Sequence, residues 1–76
     1  MRDMKPVNLD TTRKICYINP AFRITDLAAC AEYLIRVNDP TNDELWNAYD
    51  NGMKMHDENA LIEILHRFGY TYETTR

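Results

Sequence analysis

The chain has 76 residues, of which 45% are hydrophobic and 28% are charged, and its formal net charge is −3. This length accommodates one domain at most, and the composition excludes a wholly disordered or low-complexity chain. No apolar run approaches the ~18 residues that a membrane span requires, and the N-terminus lacks the apolar stretch of a signal peptide. These features predict a small cytoplasmic domain that makes no membrane contact.

The N-terminal region is predicted to contain an arm and a strand. Residues 1–13 mix charged and polar side chains around Pro6, which is typical of a flexible or loosely docked arm. Residues 14–18 are mainly β-branched and aromatic, which predicts a short strand. Asn19 and Pro20 then predict a turn. Residues 14–76 are expected to form the single folded domain.

The first helix is predicted from about Asp26 to Val37. Thr25 is the expected N-cap, and Asp26 is favoured at the positive N-terminus of the helix. Pro40 ends the pattern, because a residue that precedes proline avoids the helical region. Five small or apolar residues recur at helical spacing and predict one buried face: Leu27, Cys30, Ala31, Leu34 and Ile35.

The second helix is predicted from about Asn42 to Asn51. Thr41 and Glu44 have the spacing of a capping box, in which each side chain satisfies a free backbone N–H near the other residue. Gly52 is expected to end the helix, since glycine readily adopts the left-handed conformation found at helix C-termini.

The third helix is predicted from about Glu58 to Phe68, with Asp57 as its N-cap and Gly69 after its end. Residues 70–74 then alternate and are rich in strand-forming residues, so they are expected to pair with residues 14–18. The fold class predicted for the chain is mainly α, a three-helix domain, with the alternative of α+β in which residues 14–18 and 70–74 form a small two-stranded sheet.

No motif for catalysis, metal binding or cofactor binding is recognisable. Cys16 and Cys30 are expected to be reduced thiols, at least one of them in the core, because disulfides are rare in the cytosol. A zinc site needs about four closely spaced ligands, and these cysteines together with His56 and His66 lack that spacing. The chain is therefore expected to be non-enzymatic and to need neither metal nor cofactor.

The charges are divided unevenly along the sequence. Residues 1–36 carry six basic and four acidic groups, whereas residues 39–58 carry six acidic groups against one lysine. A solvated helical face would explain the acidic stretch, and so would a surface that docks on a basic partner. Trp46 is the kind of residue expected to plug a small helical core, although tryptophan and tyrosine are also enriched at interfaces. The candidate partner-binding residues are Asp39, Asp43, Glu44, Trp46, Tyr49 and Asp50.

The favoured function is that of a small inhibitor or adaptor which occupies the basic surface of a larger protein. Its most concrete form is a phage-type, anti-defence protein that blocks a host nucleic-acid enzyme or defence system. The alternative is a nucleic-acid-binding regulator, which is less favoured because its second helix would repel phosphate. A homodimer remains open. The nucleic-acid contacts in the alternative would come from the basic N-terminal half, at Arg2, Lys5, Arg13 and Lys14.

Overall fold

Three helices and a small sheet make up the part of the chain that the computed structural model describes, residues 4–75. The mainly α fold class predicted from the sequence is confirmed, with three strands in the sheet instead of two. A 3₁₀ turn at Pro20–Phe22 joins the second strand to the first helix. In chain order the remaining elements are β1 (Leu9–Asp10), β2 (Ile15–Ile18), α1 (Arg23–Asn38), α2 (Asp43–Lys54), α3 (Glu58–Arg67) and β3 (Thr71–Thr74).

The sheet has the strand order β1-β2-β3. β2 and β3 are parallel, with Cys16 opposite Tyr72, so the predicted pairing of residues 14–18 with residues 70–74 is confirmed. β1 is antiparallel to β2, with Leu9 opposite Cys16. This third strand comes from the segment expected to be an arm, and Leu9 is only 2% exposed. A single buried leucine among polar neighbours gives too short a pattern to predict a strand.

The hydrophobic core lies between the helices and one face of the sheet. α1 packs on β2, α3 packs on β3, and α2 packs across α1 and α3. The apolar face predicted for the first helix is buried in full. The sheet contributes Leu9, Cys16 and Ile18, and the helices contribute Leu27, Leu34, Ile35, Leu61 and Leu65 among others.

A disulfide joins the sheet to the helical layer. Cys16 on β2 and Cys30 on α1 are both fully buried and form this bond, with their Cα atoms 6.7 Å apart. The prediction of two reduced thiols is therefore wrong. β2 turns Cys16 inward and the apolar face of α1 carries Cys30, so the packing of α1 on β2 brings the two sulfur atoms together. Such a contact between elements is not encoded in cysteine spacing.

α1 begins three residues before its predicted start. Its N-cap position is Phe22, which makes no side-chain capping bond, and the predicted N-cap Thr25 lies inside the helix. The preceding turn is stabilised by side chains instead. The Asn19 side chain accepts the Ala21 N–H at 2.9 Å, and the Asp26 carboxylate accepts the Asn19 N–H at 2.8 Å. The 3₁₀ turn therefore runs directly into the helix.

Both predicted ends of α2 are corrected. Asn42 is the N-cap, since its side-chain oxygen accepts the Leu45 N–H at 3.1 Å, and the predicted Thr41–Glu44 capping box does not form. Gly52 lies within the helix and is buried, so it does not end α2. A Cβ atom at this position would lie 3.2 Å from the Cβ of Ala60, so glycine permits the close approach of α2 and α3.

α3 begins and ends as predicted, to within one residue. The Asp57 carboxylate accepts the N–H groups of Asn59 and Ala60, which confirms Asp57 as the N-cap. Gly69 has a φ of +83°, the left-handed conformation expected after a helix C-terminus. The chain then turns directly into β3.

Candidate protein interface

The outer face of α2 carries two carboxylates in line. Asp43 and Asp50 are seven residues apart, about two helical turns, and both are exposed together with Asn47 between them. Glu44 is also exposed but lies on the side of α2 that faces α3. We call Asp43, Glu44, Asn47 and Asp50 the acidic face. Its residues come from the acidic stretch of the sequence at residues 39–58.

The carboxylates of the acidic face are not used to hold the fold together. Among residues 4–75, none of Asp43, Glu44 and Asp50 makes an ion pair or accepts a side-chain hydrogen bond. Asp43 and Glu44 lie in the first turn of α2, where the helix dipole stabilises negative charge. Their position therefore has a structural benefit, while their oxygen atoms remain open to a partner.

An aromatic pair borders the acidic face on the side of α1. Trp46 and Tyr49 are half-buried, and their rings meet edge-to-face at 5.8 Å with an interplanar angle of 87°. The Trp46 indole N–H donates to the Pro40 carbonyl at 2.8 Å, which fixes the orientation of the ring. Trp46 therefore packs against the edge of the core, so the expectation that it would plug the core is met only in part. The pair presents a rigid, partly exposed aromatic surface.

Tyr49 lies in the seam between α2 and α1. Burial raises the pKa of its hydroxyl above the ordinary value, the nearby carboxylates of Glu32 and Asp50 raise it further, and the Arg36 guanidinium opposes them. Arg36 also pairs with Glu32 one turn before it on α1. Tyr49 is therefore neutral at physiological pH and can donate a hydrogen bond.

Asp39, the first of the candidate residues, has a structural role. It is half-buried in the turn between α1 and α2 and accepts a hydrogen bond of 2.8 Å from the Asn42 side chain. Its backbone N–H also donates to the Ile35 carbonyl. The structure thus brings Asp43, Glu44, Trp46, Tyr49 and Asp50 onto one helix and its borders, and it uses Asp39 to shape the preceding turn.

A groove between α2 and α3 was not predicted from the sequence. Its volume is about 320 Å³, and it is open to solvent. Only Glu44 among the predicted site residues reaches it. The groove depends on how two helices pack, and the helical pattern of each sequence segment carries no signal for that. It is lined by Glu44, Leu45 and Ala48 of α2 and by Ala60, Glu63, Ile64 and Arg67 of α3.

The basic residues of the alternative hypothesis lie around the turn between β1 and β2. Lys5, Arg13 and Lys14 are exposed, whereas Arg2 lies outside the described residues. The Lys14 ammonium lies 5.2 Å from the centre of the Tyr70 ring, a cation–π contact. Hence part of the basic charge contributes to internal packing.

An acidic residue shapes the same turn. The Asp10 carboxylate accepts the backbone N–H groups of Thr12 and Arg13, both at 3.0 Å. The Arg13 hydrogen bond is the main cause that lowers the pKa of Asp10, and the charges of Arg13 and Lys5 lower it further. An ionised Asp10 therefore offsets the positive charge of this region.

Residues 4–75 carry neither a metal site nor a membrane-spanning helix. No group of three or more His, Cys, Asp or Glu side chains there could hold a metal ion. None of the described helices combines the length and apolar character needed to cross a membrane. Comparison of the chain with protein-family models, with curated proteins and with solved structures finds no match.

Proposed function

We propose that this protein acts without catalysis, by docking the acidic face of α2 on the basic surface of a larger protein. One observation carries the proposal: Asp43, Glu44 and Asp50 are exposed and unpaired among the described residues, beside the half-buried Trp46–Tyr49 pair. Complementary charge accelerates association and selects partners. Aromatic side chains then supply the contact area that most often dominates binding energy.

A nucleic-acid enzyme is the partner class that this surface fits best. Such enzymes bind phosphate through basic grooves, and a helix with aligned carboxylates offers them a competing row of negative charge. Blocking a groove requires no chemistry from the inhibitor. We therefore retain an inhibitor of the phage type, directed at a host nucleic-acid enzyme or defence system, as the concrete form of the proposal.

The location of the protein belongs to the proposal as well. Disulfides persist mainly in oxidising compartments, so the Cys16–Cys30 bond weighs against the cytoplasmic location predicted from the sequence. Acid quenching of intact cells, followed by alkylation of thiols under denaturing conditions, tests this point, because both cysteines are buried in the folded protein. Alkylated cysteines would support a cytoplasmic location, and a protected disulfide would support an oxidising one.

Partner capture from the source organism tests the docking function. The bait is the wild-type protein beside an Asp43→Lys, Glu44→Lys, Asp50→Lys variant, and the matched control reverses charge at Arg13 and Lys14. We expect the α2 variant to lose a basic protein that both other baits retain. Equal capture by all three baits would contradict docking through the acidic face.

The nucleic-acid alternative is tested by a gel shift at low salt. If Arg13 and Lys14 neutralise phosphates, complex formation should fall steeply with added salt and weaken in the control variant with reversed charge at these positions. We expect no shift, because Lys14 stacks on Tyr70 and Asp10 offsets the nearby positive charge. A salt-sensitive shift would favour the alternative.

A further inference from the structure

The groove between α2 and α3 is closed at one end and open at the other. At the closed end, a Cβ atom on Gly52 would lie 3.2 Å from the Ala60 Cβ and 3.3 Å from a methyl carbon of Leu61. Toward the N-terminus of α2 and the C-terminus of α3 the helices leave the space of about 320 Å³ between Glu44 and Arg67. The small side chains of Ala48 and Ala60 border this space, so another backbone can approach closely.

The groove has an apolar floor and a carboxylate on each wall. Leu45 and Ile64 form the floor and are almost buried, at 5% and 3% exposure. Glu44 stands on the α2 wall and Glu63 on the α3 wall, and neither makes an ion pair among residues 4–75. With Arg67 at the open end, the charges that line the groove are two carboxylates and one guanidinium, so its net charge is negative and complements an apolar strip flanked by positive charge.

We propose that this groove binds an amphipathic helix of the partner protein whose apolar stripe is flanked by arginine or lysine residues. This inference rests on the proposed docking function and adds the element that the partner supplies. The apolar side chains of that helix pack on Ala48 and Ala60 above the buried floor, and its basic side chains pair with Glu44 and Glu63. Helix-in-groove binding of this kind is a recurring mode of recognition.

Arg67 is expected to oppose binding of the basic helix, whereas Glu44 and Glu63 favour it. Arg67 lies on the groove at the last residue of α3, and there it repels a basic side chain of the incoming helix. Removal of its charge by Arg67→Ala should therefore tighten binding, whereas removal of the two carboxylates should weaken it. If the substitutions changed affinity only by destabilising the fold, both variants would bind the helix more weakly.

The probe is a synthetic 18-residue helical peptide with leucines at i, i+4 spacing flanked by arginines. A second peptide with glutamate in place of each arginine is the matched control. Titration of the ¹⁵N-labelled protein is followed by amide chemical shifts, and affinity is followed by fluorescence anisotropy. We expect the arginine peptide to shift the amides of Ala48, Ala60 and Ile64 and the glutamate peptide to shift none of them.

Three variants test the contacts with the same arginine peptide. Glu44→Gln with Glu63→Gln should weaken binding about fivefold, as expected for the loss of two exposed ion pairs. Arg67→Ala should tighten binding, and Ala48→Leu should weaken it by filling the groove without changing charge. A melting curve of each variant establishes that it is folded. Should the leucine variant fail to fold, the carboxamide variant still tests the proposal.

Failure of this inference is distinguishable from failure of the proposed function. Shifts confined to Trp46, Tyr49 and the outer side of α2, or equal binding of both peptides, would overturn the groove as the binding site. Partner capture that depends on Asp43 and Asp50 but not on Glu63 would also overturn it, while leaving the docking function intact.

Discussion

α2 and the turn between β1 and β2 carry opposite charges, and they differ in how the fold uses them. At the turn, Asp10 accepts two backbone N–H groups and Lys14 packs over Tyr70. On α2, the carboxylates of Asp43 and Asp50 make no such contacts within residues 4–75. The basic region helps to hold the structure together, whereas the acidic face remains available to another molecule.

The anchoring of the two regions differs in the same way. β2 is tied to α1 through Cys16–Cys30 and lies between two other strands. α2 packs on α1 and α3 by side-chain contacts and by the close approach at Gly52. A helix that is held by one face only can expose the opposite face to a partner. Substitutions in the two regions should therefore have different consequences for stability and for binding.

Removal of the disulfide should have the largest effect on stability. The Cys16→Ala, Cys30→Ala double variant lacks the crosslink between two residues that are 14 positions apart in the sequence. Because this crosslink restricts the unfolded chain, its removal should lower the free energy of unfolding by about 3 kcal/mol. Urea unfolding of the oxidised wild type and of the variant measures it. A reductant should lower the wild-type midpoint and leave the variant unchanged, and an unchanged wild type would contradict the anchoring role.

Gly52→Val tests how α2 is held against α3. The larger side chain meets Ala60 and Leu61, so we expect a loss of roughly 1–3 kcal/mol in the free energy of unfolding, as for overpacking in cores. Asn51→Val is the matched control, because Asn51 is exposed on the same helix. A loss in Gly52→Val no larger than that in Asn51→Val would contradict the close contact with α3, because valine is a better helix former than glycine.

Neutralisation of the acidic face should affect stability less than either change above. Asp43→Asn, Glu44→Gln and Asp50→Asn together remove no ion pair among residues 4–75, and the two first-turn charges contribute roughly 1 kcal/mol in total through the helix dipole. Thermal unfolding measures the effect. A loss as large as that of the disulfide variant would mean that these carboxylates are structural, and the contrast between the two regions would then fail.

Tyr49 provides a pH-dependent test of the seam between α2 and α1. Its pKa is raised above 10.0 in the folded state, mainly by burial, so the unfolded chain loses this proton first as the pH rises. The raised pKa of Tyr49 therefore contributes to the free energy of unfolding. This contribution is fully present below about pH 10 and is lost as the pH rises through the higher pKa of the folded state. Absorbance is followed in separate pH titrations of the wild type and of Tyr49→Phe. The variant should have one fewer tyrosine with a raised pKa. Ionisation of that tyrosine at its ordinary pKa would contradict the burial.

The sequence predicted the helices well because each has a buried apolar stripe at helical spacing. Their ends were harder to place, since several polar residues compete for each cap. Asn42 caps α2 one residue after the expected Thr41, and Asn19 and Asp26 stabilise the turn before α1 instead of Thr25. A glycine near a helix end has two physical uses. At Gly69 it adopts a positive φ, and at Gly52 it lets α3 approach.

The features that could not be predicted are contacts between elements. Neither the Cys16–Cys30 disulfide nor the groove beside Glu63 follows from the pattern of one segment, because each needs two elements in their packed positions. β1 was missed for a different reason, since two residues are too few to show alternation. The acidic stretch was visible in the sequence, but only the packing separates the structural Asp39 from the exposed Asp43 and Asp50.

Site-specific photo-crosslinking in the source organism tests whether the protein docks through the acidic face of α2. A benzophenone amino acid is placed at Asn47, between Asp43 and Asp50 on the acidic face, and in a second protein at Thr12, in the basic turn. We expect the Asn47 position to crosslink a protein with a basic surface and the Thr12 position to crosslink none. Crosslinks from Thr12 to protein or nucleic acid, with none from Asn47, would contradict this expectation.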